Sequence, residues 1–280
     1  MTRDEQARWI AGYLDTVPNS PGKDSVLVAT SVLDAEGYFS TQPHLPRVLT
    51  VYGSNMGIGT THEGIGAVGG VFSTPSSVGQ QLEVVSTSAN DAAAGTGMRT
   101  IRLVYERADN TIGSEDVTLN GTGAVSTIAT DIIYLYPQFS HGLSYGTGGL
   151  AAGNVDIRIQ GGGAVVERIL VGRRGIIHSA RTRIPPGYTG FVFSWSVGVA
   201  GTHSASFDLA HTWDHRTKAY LGAMVTRYQL DTLSSGWFSY ELPTPLVLPE
   251  KTEVEVTGIR LGGTDAAGAA TLDCVLVRNT

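Results

Sequence analysis

The feature that most constrains the fold is a strand, turn and strand pattern between residues 98 and 120. Apolar and polar side chains alternate from Met98 to Glu106, Asp109 and Asn110 are turn formers, and alternation resumes at Val117. A period of two indicates a strand that buries one face. The segment therefore predicts a half-buried β-hairpin and contains no group arranged for chemistry.

The rest of the chain favours the same class. Glycine accounts for 36 of 280 residues, 16% are charged and 41% are hydrophobic, which is typical of many short strands joined by tight turns. Crossover helices, which a parallel sheet requires, are absent from the pattern after residue 22. We predict a mainly β protein, an antiparallel β-sandwich or jelly roll of one or two units with a short N-terminal helix.

Three regions are expected along the chain. Residues 1–22 form a helical arm, residues 23–186 a β-sandwich region, and residues 187–280 a second β-sandwich or jelly-roll region. Pro185 and Pro186 mark the second boundary because proline interrupts a strand ladder. The two β regions are alternatively parts of shared sheets. An Ala/Gly turn precedes an apolar strand three times, at residues 91–95, 150–153 and 265–268. This repetition reflects either equivalent loops in two sandwiches or chance.

The N-terminal region carries a helix signature. Thr2 and Glu5 have the spacing of a capping box, which predicts a helix over about residues 3–14. The helix either packs on its own domain or docks on a neighbouring subunit. Its apolar side, the candidate partner contact, comprises Trp9, Ile10, Tyr13 and Leu14.

Charge and cysteine usage argue against several classes of function. The net charge is −6 and the lysines and arginines form no block, so the sequence predicts no nucleic-acid binding. No leader pattern and no run of about 18 apolar residues occurs, which predicts neither export nor a membrane span. Cys274 is the single cysteine, which excludes an internal disulfide and suits synthesis in a reducing cytoplasm.

Two short glycine patterns resemble catalytic or cofactor motifs. Residues 142–146 read G-x-S-x-G and residues 146–151 read G-x-G-x-x-A. Both motifs act at the N-terminus of a helix, and the residues that follow predict none. We therefore predict no catalytic residue, no cofactor and no enzyme activity.

The possible metal ligands and carboxylate pairs of the sequence are interpreted as structural residues, not as a metal site or a catalytic pair. His211, Trp213 and His215 would share one face of an extended strand, whereas zinc needs three or four converging ligands, so no metal site is predicted. A glycosidase would need two carboxylates across a cleft. The candidate acids are expected at solvent-facing strand positions: Glu115, Asp116, Glu167, Glu253 and Glu255.

Two further groups of residues are candidates for binding. The aromatic residues late in the chain suit either a core and oligomer interface or a stacking platform for sugars, with Trp213 and Trp237 as the glycan contacts. Arg173 and Arg174 form a local basic point that suits an acidic capsid surface or lies solvated, and the following Arg181 and Arg183 alternate on a strand.

Four segments in series resemble virion structural proteins of tailed bacteriophages. They are SANDAAAGTGMRTIRLVYERADN followed by GSEDVTLNGT, then LAAGNVDIRIQGGG, ARTRIPPGYTGFVF and LVLPEKTEVEV, and the likeness spans about residues 80–280. The resemblance implies a sandwich or jelly-roll protein of the particle, which carries no catalytic residues.

The resemblance gives the functional expectation. It implies a capsid decoration or cement protein, made in the host cytoplasm and located in the virion, that binds the major capsid protein or other virion subunits and is a homo-oligomer, with a homotrimer favoured. The alternative is a tail, collar or fibre component that binds host surface carbohydrate. No nucleic acid and no membrane is expected as a partner.

Overall fold

The computed structural model describes residues 47–175, 177–200, 204–214, 217–233, 236–262 and 266–279. Every regular secondary-structure element in these ranges is a β-strand, and every pairing between strands is antiparallel. The predicted antiparallel β-sandwich or jelly-roll class is confirmed. The predicted N-terminal helix lies outside the described residues. The strands are β1 (Arg47–Ile58), β2 (Glu63–Gly64), β3 (Leu82–Ser86), β4 (Met98–Arg107), β5 (Ile112–Thr118), β6 (Val125–Ser126), β7 (Ile132–Leu135), β8 (His141–Tyr145), β9 (Val155–Ile159), β10 (Val165–Ile169), β11 (Arg181–Arg183), β12 (Tyr188–Ala200), β13 (Ala205–Asp214), β14 (Ala219–Leu233), β15 (Gly236–Leu248), β16 (Glu253–Arg260) and β17 (Ala266–Arg278).

Strands from both ends of the described chain enclose the larger apolar core. One sheet has the order β1-β17-β12-β15, and the other has the order β11-β16-β13-β14, with β2 paired to β16. Alternation along these strands places one face of each sheet in the core, because successive side chains point to opposite faces. Trp195, Phe207 and Leu272 are fully buried there.

The middle of the chain forms a second core. Its sheets have the orders β10-β9-β3-β6 and β5-β4-β7, with β8 paired to β4. The predicted hairpin is β4 and β5, and Asn110 takes the left-handed conformation in its turn at φ 65°. Its apolar positions Ile101, Leu103 and Val117 lie in this core.

The two cores do not divide the chain at residue 186. The second core contains residues between 82 and 177, whereas the larger core combines residues 49–65 with residues 180–276. Leu49 on β1 pairs with Cys274 on β17, so early and late strands share a sheet, which is the alternative that the sequence left open. The proline break is real locally, since it separates β11 from β12.

The glycine-rich passage at residues 53–79 packs on the sheet of β16. Ile65 is fully buried in the larger core, and the ring of Phe72 contacts Gly64 and Gly66 at positions where a Cβ atom would collide with it. Glycine is required there because the ring lies directly on the backbone. No helix able to cross a membrane occurs in the described part of the chain.

Candidate interaction surface

The G-x-S-x-G pattern lies on a strand. Its Ser144 belongs to β8 and pairs with Thr100 on β4, and residues 146–154 contain no helix. The sharp strand-to-helix turn that would expose a serine nucleophile is therefore missing at this position. The overlapping G-x-G-x-x-A pattern likewise has no helix N-terminus to meet a phosphate.

The histidine cluster is only partly within the described residues, because His215 lies outside them. His211 is buried, and its Nδ1 accepts a hydrogen bond from the Trp213 backbone N–H at 3.2 Å. The described residues contain no group of three or more His, Cys, Asp or Glu side chains that could hold a metal ion.

The predicted partner contacts lie in two places. Arg173 and Arg174 are exposed, and the Arg174 guanidinium lies 5.1 Å from the centre of the Tyr145 ring, which is a cation–π contact. The four arm residues, Trp9, Ile10, Tyr13 and Leu14, lie outside the described residues. Both sets remain predictions.

Arg181 does not lie at the surface as a solvated residue. Its Nε donates to Glu167 Oε1 at 2.7 Å, and the exposed fractions of the two side chains are 4% and 0%. Its guanidinium also donates to the Val166 carbonyl at 3.0 Å and lies over the Phe72 ring at 4.7 Å. The expected solvent-facing position of Glu167 is therefore wrong. Burial raises the pKa of Glu167, and Arg181 opposes that rise.

Arg183 continues this network between the two cores. It lies 3.3 Å from Glu106, a fully buried side chain of β4, and 3.4 Å from Glu253 on β16. Glu106 Oε2 also accepts a hydrogen bond from the Tyr136 hydroxyl at 2.9 Å. The Tyr134 ring lies 5.7 Å from the Arg181 guanidinium and 5.9 Å from that of Arg183. Arg181 and Arg183 therefore join one core to the other. Their positions are explained by contacts within the chain, without a contact to another subunit.

A groove opens on the outer face of the β16-β13-β14 sheet beside this network. Its volume is about 270 Å³. Glu255 and Asp208 line it, and Asp208 pairs with His62 at 3.2 Å. Burial raises the pKa of Glu255 to about 7, while the charge of Arg181 lowers it and that of Glu253 raises it further. Its full lining is His62, Gly64, Val71, Phe72, Asp208, Ala210, Met224, Thr226, Glu255 and Thr257.

We expect the Glu255→Gln variant to lose part of the pH dependence of stability between pH 5 and pH 8. The pKa of Glu255 is about 7 in the folded state, whereas its ordinary value is 4.5. Between these two pH values, the folded state therefore holds a proton that the unfolded state has already released. The free energy of unfolding therefore falls as pH rises from 5 to 8, by at most about 3 kcal/mol from this group.

The measurement is urea unfolding of both proteins at pH 5 and pH 8. The variant should be relatively more stable at pH 8, with the difference between the two pH values reduced. Asp109→Asn is the control, because hydrogen bonds from Thr111 lower the pKa of the exposed Asp109, which therefore titrates below pH 5. An unchanged slope in Glu255→Gln would contradict the assignment.

The two predicted glycan-contact tryptophans lie at opposite ends of the larger sandwich. Trp213 is near the end of β13 and its ring contacts Tyr220 at 4.9 Å. Trp237 pairs with Gly198, near the end at which Ala205 pairs with Leu233. Eight positions of an extended strand separate Ala205 from Trp213, roughly 26 Å. The structure therefore does not bring the two rings into one stacking platform.

The first half of β15 is exposed along its whole length. All positions from Gly236 to Glu241, called here the edge segment, are exposed. Its rings Trp237, Phe238 and Tyr240 are 53%, 38% and 37% exposed. A strand with one face on a core normally exposes alternate residues only. Exposure of successive aromatic side chains indicates a surface that a partner covers.

The edge segment presents both of its faces. Phe238 and Tyr240 pair with Val197 and Trp195, which are buried in the larger core, so these two rings lie at the open rim of that core. Trp237 pairs with Gly198 on the outer face, where its ring lies against the glycine backbone. Both the rim and the outer face are therefore apolar at the same strand.

The two halves of β15 are protected differently against pairing with another chain. The second half contains Pro243 and Pro245, and the register with β12 shifts there, so residues 242–245 interrupt the ladder. Prolines and bulges are common protections of an exposed strand edge. The edge segment has neither, and within the described residues β15 pairs with β12 alone. Within the described part of the chain, this half of the edge therefore has no second strand partner and neither protection against strand addition.

Comparison with known proteins gives no family. No protein-family profile matches the chain, and no curated protein matches it. Among solved structures, it is similar to the structure of infectious bursal disease virus Gx strain, with 11% identity over 89% of this chain and 75% of that chain and a TM-score of 0.24. It is also similar to the infectious bursal disease virus VP2 subviral particle, with 12% identity, 89% and 74% coverage and a TM-score of 0.23. TM-scores this low support neither a fold assignment nor a function.

Proposed function

We propose that this chain is a non-catalytic structural protein of a virus particle that acts by binding other subunits. The observation that carries the proposal is the edge segment, where successive aromatic side chains are exposed on an unprotected sheet edge. Such a surface suits a subunit contact, because aromatic residues are enriched at interfaces and an open edge adds backbone hydrogen bonds.

Within that role, we propose a capsid decoration or cement protein of a tailed bacteriophage. The series of sequence segments between residues 88 and 256 supports this reading, since they resemble virion proteins of that group. The major capsid protein is then the first partner, and the protein is located in the virion after synthesis in the host cytoplasm. The resemblance favours a homotrimer as the arrangement of this protein on the particle.

Decoration works through many contacts that act together. Each copy would bridge neighbouring capsid subunits, and a stable specific contact buries about 1,200–2,000 Å². Association between copies multiplies the number of contacts and so raises the overall affinity without any new contact to the capsid. The exposed rings of β15 would supply part of the apolar area for the association between copies.

The proposal predicts that the protein is present in purified virus particles at a copy number comparable with that of the major capsid protein. Quantitative mass spectrometry of the particles measures that ratio directly. A copy number that is a small fraction of the capsid number would move the protein to the collar, tail or fibres. Absence from the particles would reject a virion role.

A binding assay tests whether the edge segment serves this role. Purified Tyr240→Lys protein, added to particles that lack the protein, should bind about tenfold less than wild type or weaker, since lysine on an edge opposes strand pairing. Ser114→Lys is the matched control, because Ser114 is exposed on β5, an edge strand of the second sandwich. Equal losses for both variants would remove the edge segment from the proposal.

A further inference from the structure

The edge segment restricts the geometry of any strand that pairs with it. Phe238 and Tyr240 lie on the core side of the sheet, whereas Trp237, Ser239 and Glu241 lie on the outer side. A partner strand that continues the sheet must keep apolar residues on the core side and must not place a carboxylate opposite Glu241.

We propose that the partner is the edge segment of a second copy of this chain, paired antiparallel about a two-fold axis at Ser239. This inference rests on the assembly role proposed above, and it replaces the homotrimer that the resemblance favours with a two-fold pair of copies. The sheet β1-β17-β12-β15 of one copy then continues directly into the same sheet of the other copy. A two-fold contact of this kind is closed, because each copy gives the same surface.

The register follows from the faces and the charges. A two-fold axis perpendicular to the sheet keeps each side chain on its own face, so only registers centred on a residue are allowed. With Ser239 at the centre, Phe238 meets Tyr240 of the second copy at the core rim. On the outer face, Trp237 meets Glu241, and the two Ser239 side chains face each other.

Neighbouring registers are worse on the same grounds. A centre at Glu241 places two carboxylates directly opposite, which is destabilising. A centre at Tyr240 opposes Trp237 with Pro243, which has no N–H for the ladder and lies in the bulge. A centre at Phe238 sets the two Phe238 rings opposite each other but pairs Tyr240 with Gly236, so it forms one aromatic pair between the copies, whereas the Ser239 register forms two. The Ser239 register uses every residue from Trp237 to Glu241.

Cysteine cross-linking tests the register. Cys274 is the single native cysteine and is 1% exposed, so a cysteine introduced at the edge is the reactive one. Residues directly opposite in an antiparallel pair have Cβ atoms about 4.5–5.5 Å apart, close enough for a disulfide after a small adjustment. We expect purified Ser239→Cys protein to form a disulfide-linked dimer on mild oxidation.

Two further preparations make the result specific. Trp237→Cys and Glu241→Cys should each remain uncross-linked alone and should cross-link when the two proteins are mixed, because these positions meet only between copies. Ser114→Cys, on the edge strand β5, is the control and should form no disulfide-linked dimer. Cross-linking of Ser114→Cys to the same extent, or none in Ser239→Cys, would overturn the register.

The mass of the unmodified protein in solution tests the two-fold pair independently. Sedimentation should give a dimer, and Phe238→Lys should give a folded monomer with an unchanged circular dichroism spectrum. A wild-type monomer or trimer would overturn the inference. A dimer that is absent from virus particles would uphold it and reject the virion role, so the two failures are distinguishable.

Discussion

Replacing Arg181 by methionine is expected to lower the free energy of unfolding by about 3–5 kcal/mol, because it leaves the Glu167 carboxyl buried without its cation. The pair lies between the two cores, at 2.7 Å, with exposed fractions of 4% and 0%. Methionine fills a similar volume, so most of the loss comes from the charge and the lost hydrogen bonds. Urea unfolding at pH 7 measures the change.

The loss should depend on pH. In Arg181→Met, the charge and the hydrogen bond of Arg181 no longer lower the pKa of Glu167, so burial keeps the carboxyl protonated to a higher pH. A folded pKa above the unfolded value makes the folded state relatively more stable as pH falls. The destabilisation in Arg181→Met is therefore expected to be larger at pH 8 than at pH 5.

Two comparisons separate the buried pair from a general effect of arginine loss. Arg102→Met breaks the Arg102–Asp116 pair, whose side chains are 32% and 39% exposed, and should cost about 0–1 kcal/mol. The double variant Arg181→Met, Glu167→Gln removes both charges and should recover most of the loss. If Arg181→Met costs no more than Arg102→Met, the pair does not hold the two cores together.

The sequence predicted that the charged residues around Arg181 and Arg183 lie on strands, but it did not predict that they lie between the two cores. Arg181 and Arg183 alternate on one strand, and Glu253 and Glu255 alternate on another, so each pair was expected on one face of its strand. The structure pairs Arg181 with Glu255 and Arg183 with Glu253 across the sheet. Alternation does not tell whether a polar face meets solvent or a second core, because that depends on tertiary packing.

Long-range pairing had the same limit. The hairpin β4–β5 was predictable because its alternation and its turn residues are local. The pairing of β1 with β17 joins the two ends of the described chain, and no local signal encodes it. The aromatic residues of the edge segment suited either a core and oligomer interface or a stacking platform for sugars, and only the order of the described strands places them at a sheet edge.

Asp91→Ala is expected to destabilise the second core by about 3–5 kcal/mol, because the Asp91 carboxylate satisfies several buried donors at once. Its Oδ1 accepts from the backbone N–H groups of Met98 at 2.6 Å and Ala152 at 2.9 Å. Its Oδ2 accepts from the Ser86 hydroxyl at 2.6 Å and the Gly153 N–H at 2.8 Å. The side chain is fully buried, so water does not replace these bonds in the variant.

The same carboxylate joins two turns that the sequence singled out as similar, at residues 91–95 and 150–153. Asp91→Asn tests this role, since its amide group would direct N–H donors at the backbone N–H groups it should accept from, and we expect it to lose nearly as much stability as Asp91→Ala. Asp109→Ala is the matched control, because Asp109 accepts from the Thr111 N–H and hydroxyl in an exposed turn. Asp109→Ala should cost only a small fraction of the stability lost in Asp91→Ala, because water replaces the hydrogen bonds of an exposed side chain. Amide exchange should rise at Met98, Ala152 and Gly153 in both Asp91 variants, and exchange that stays at wild-type rates would mean that other contacts hold the two turns together.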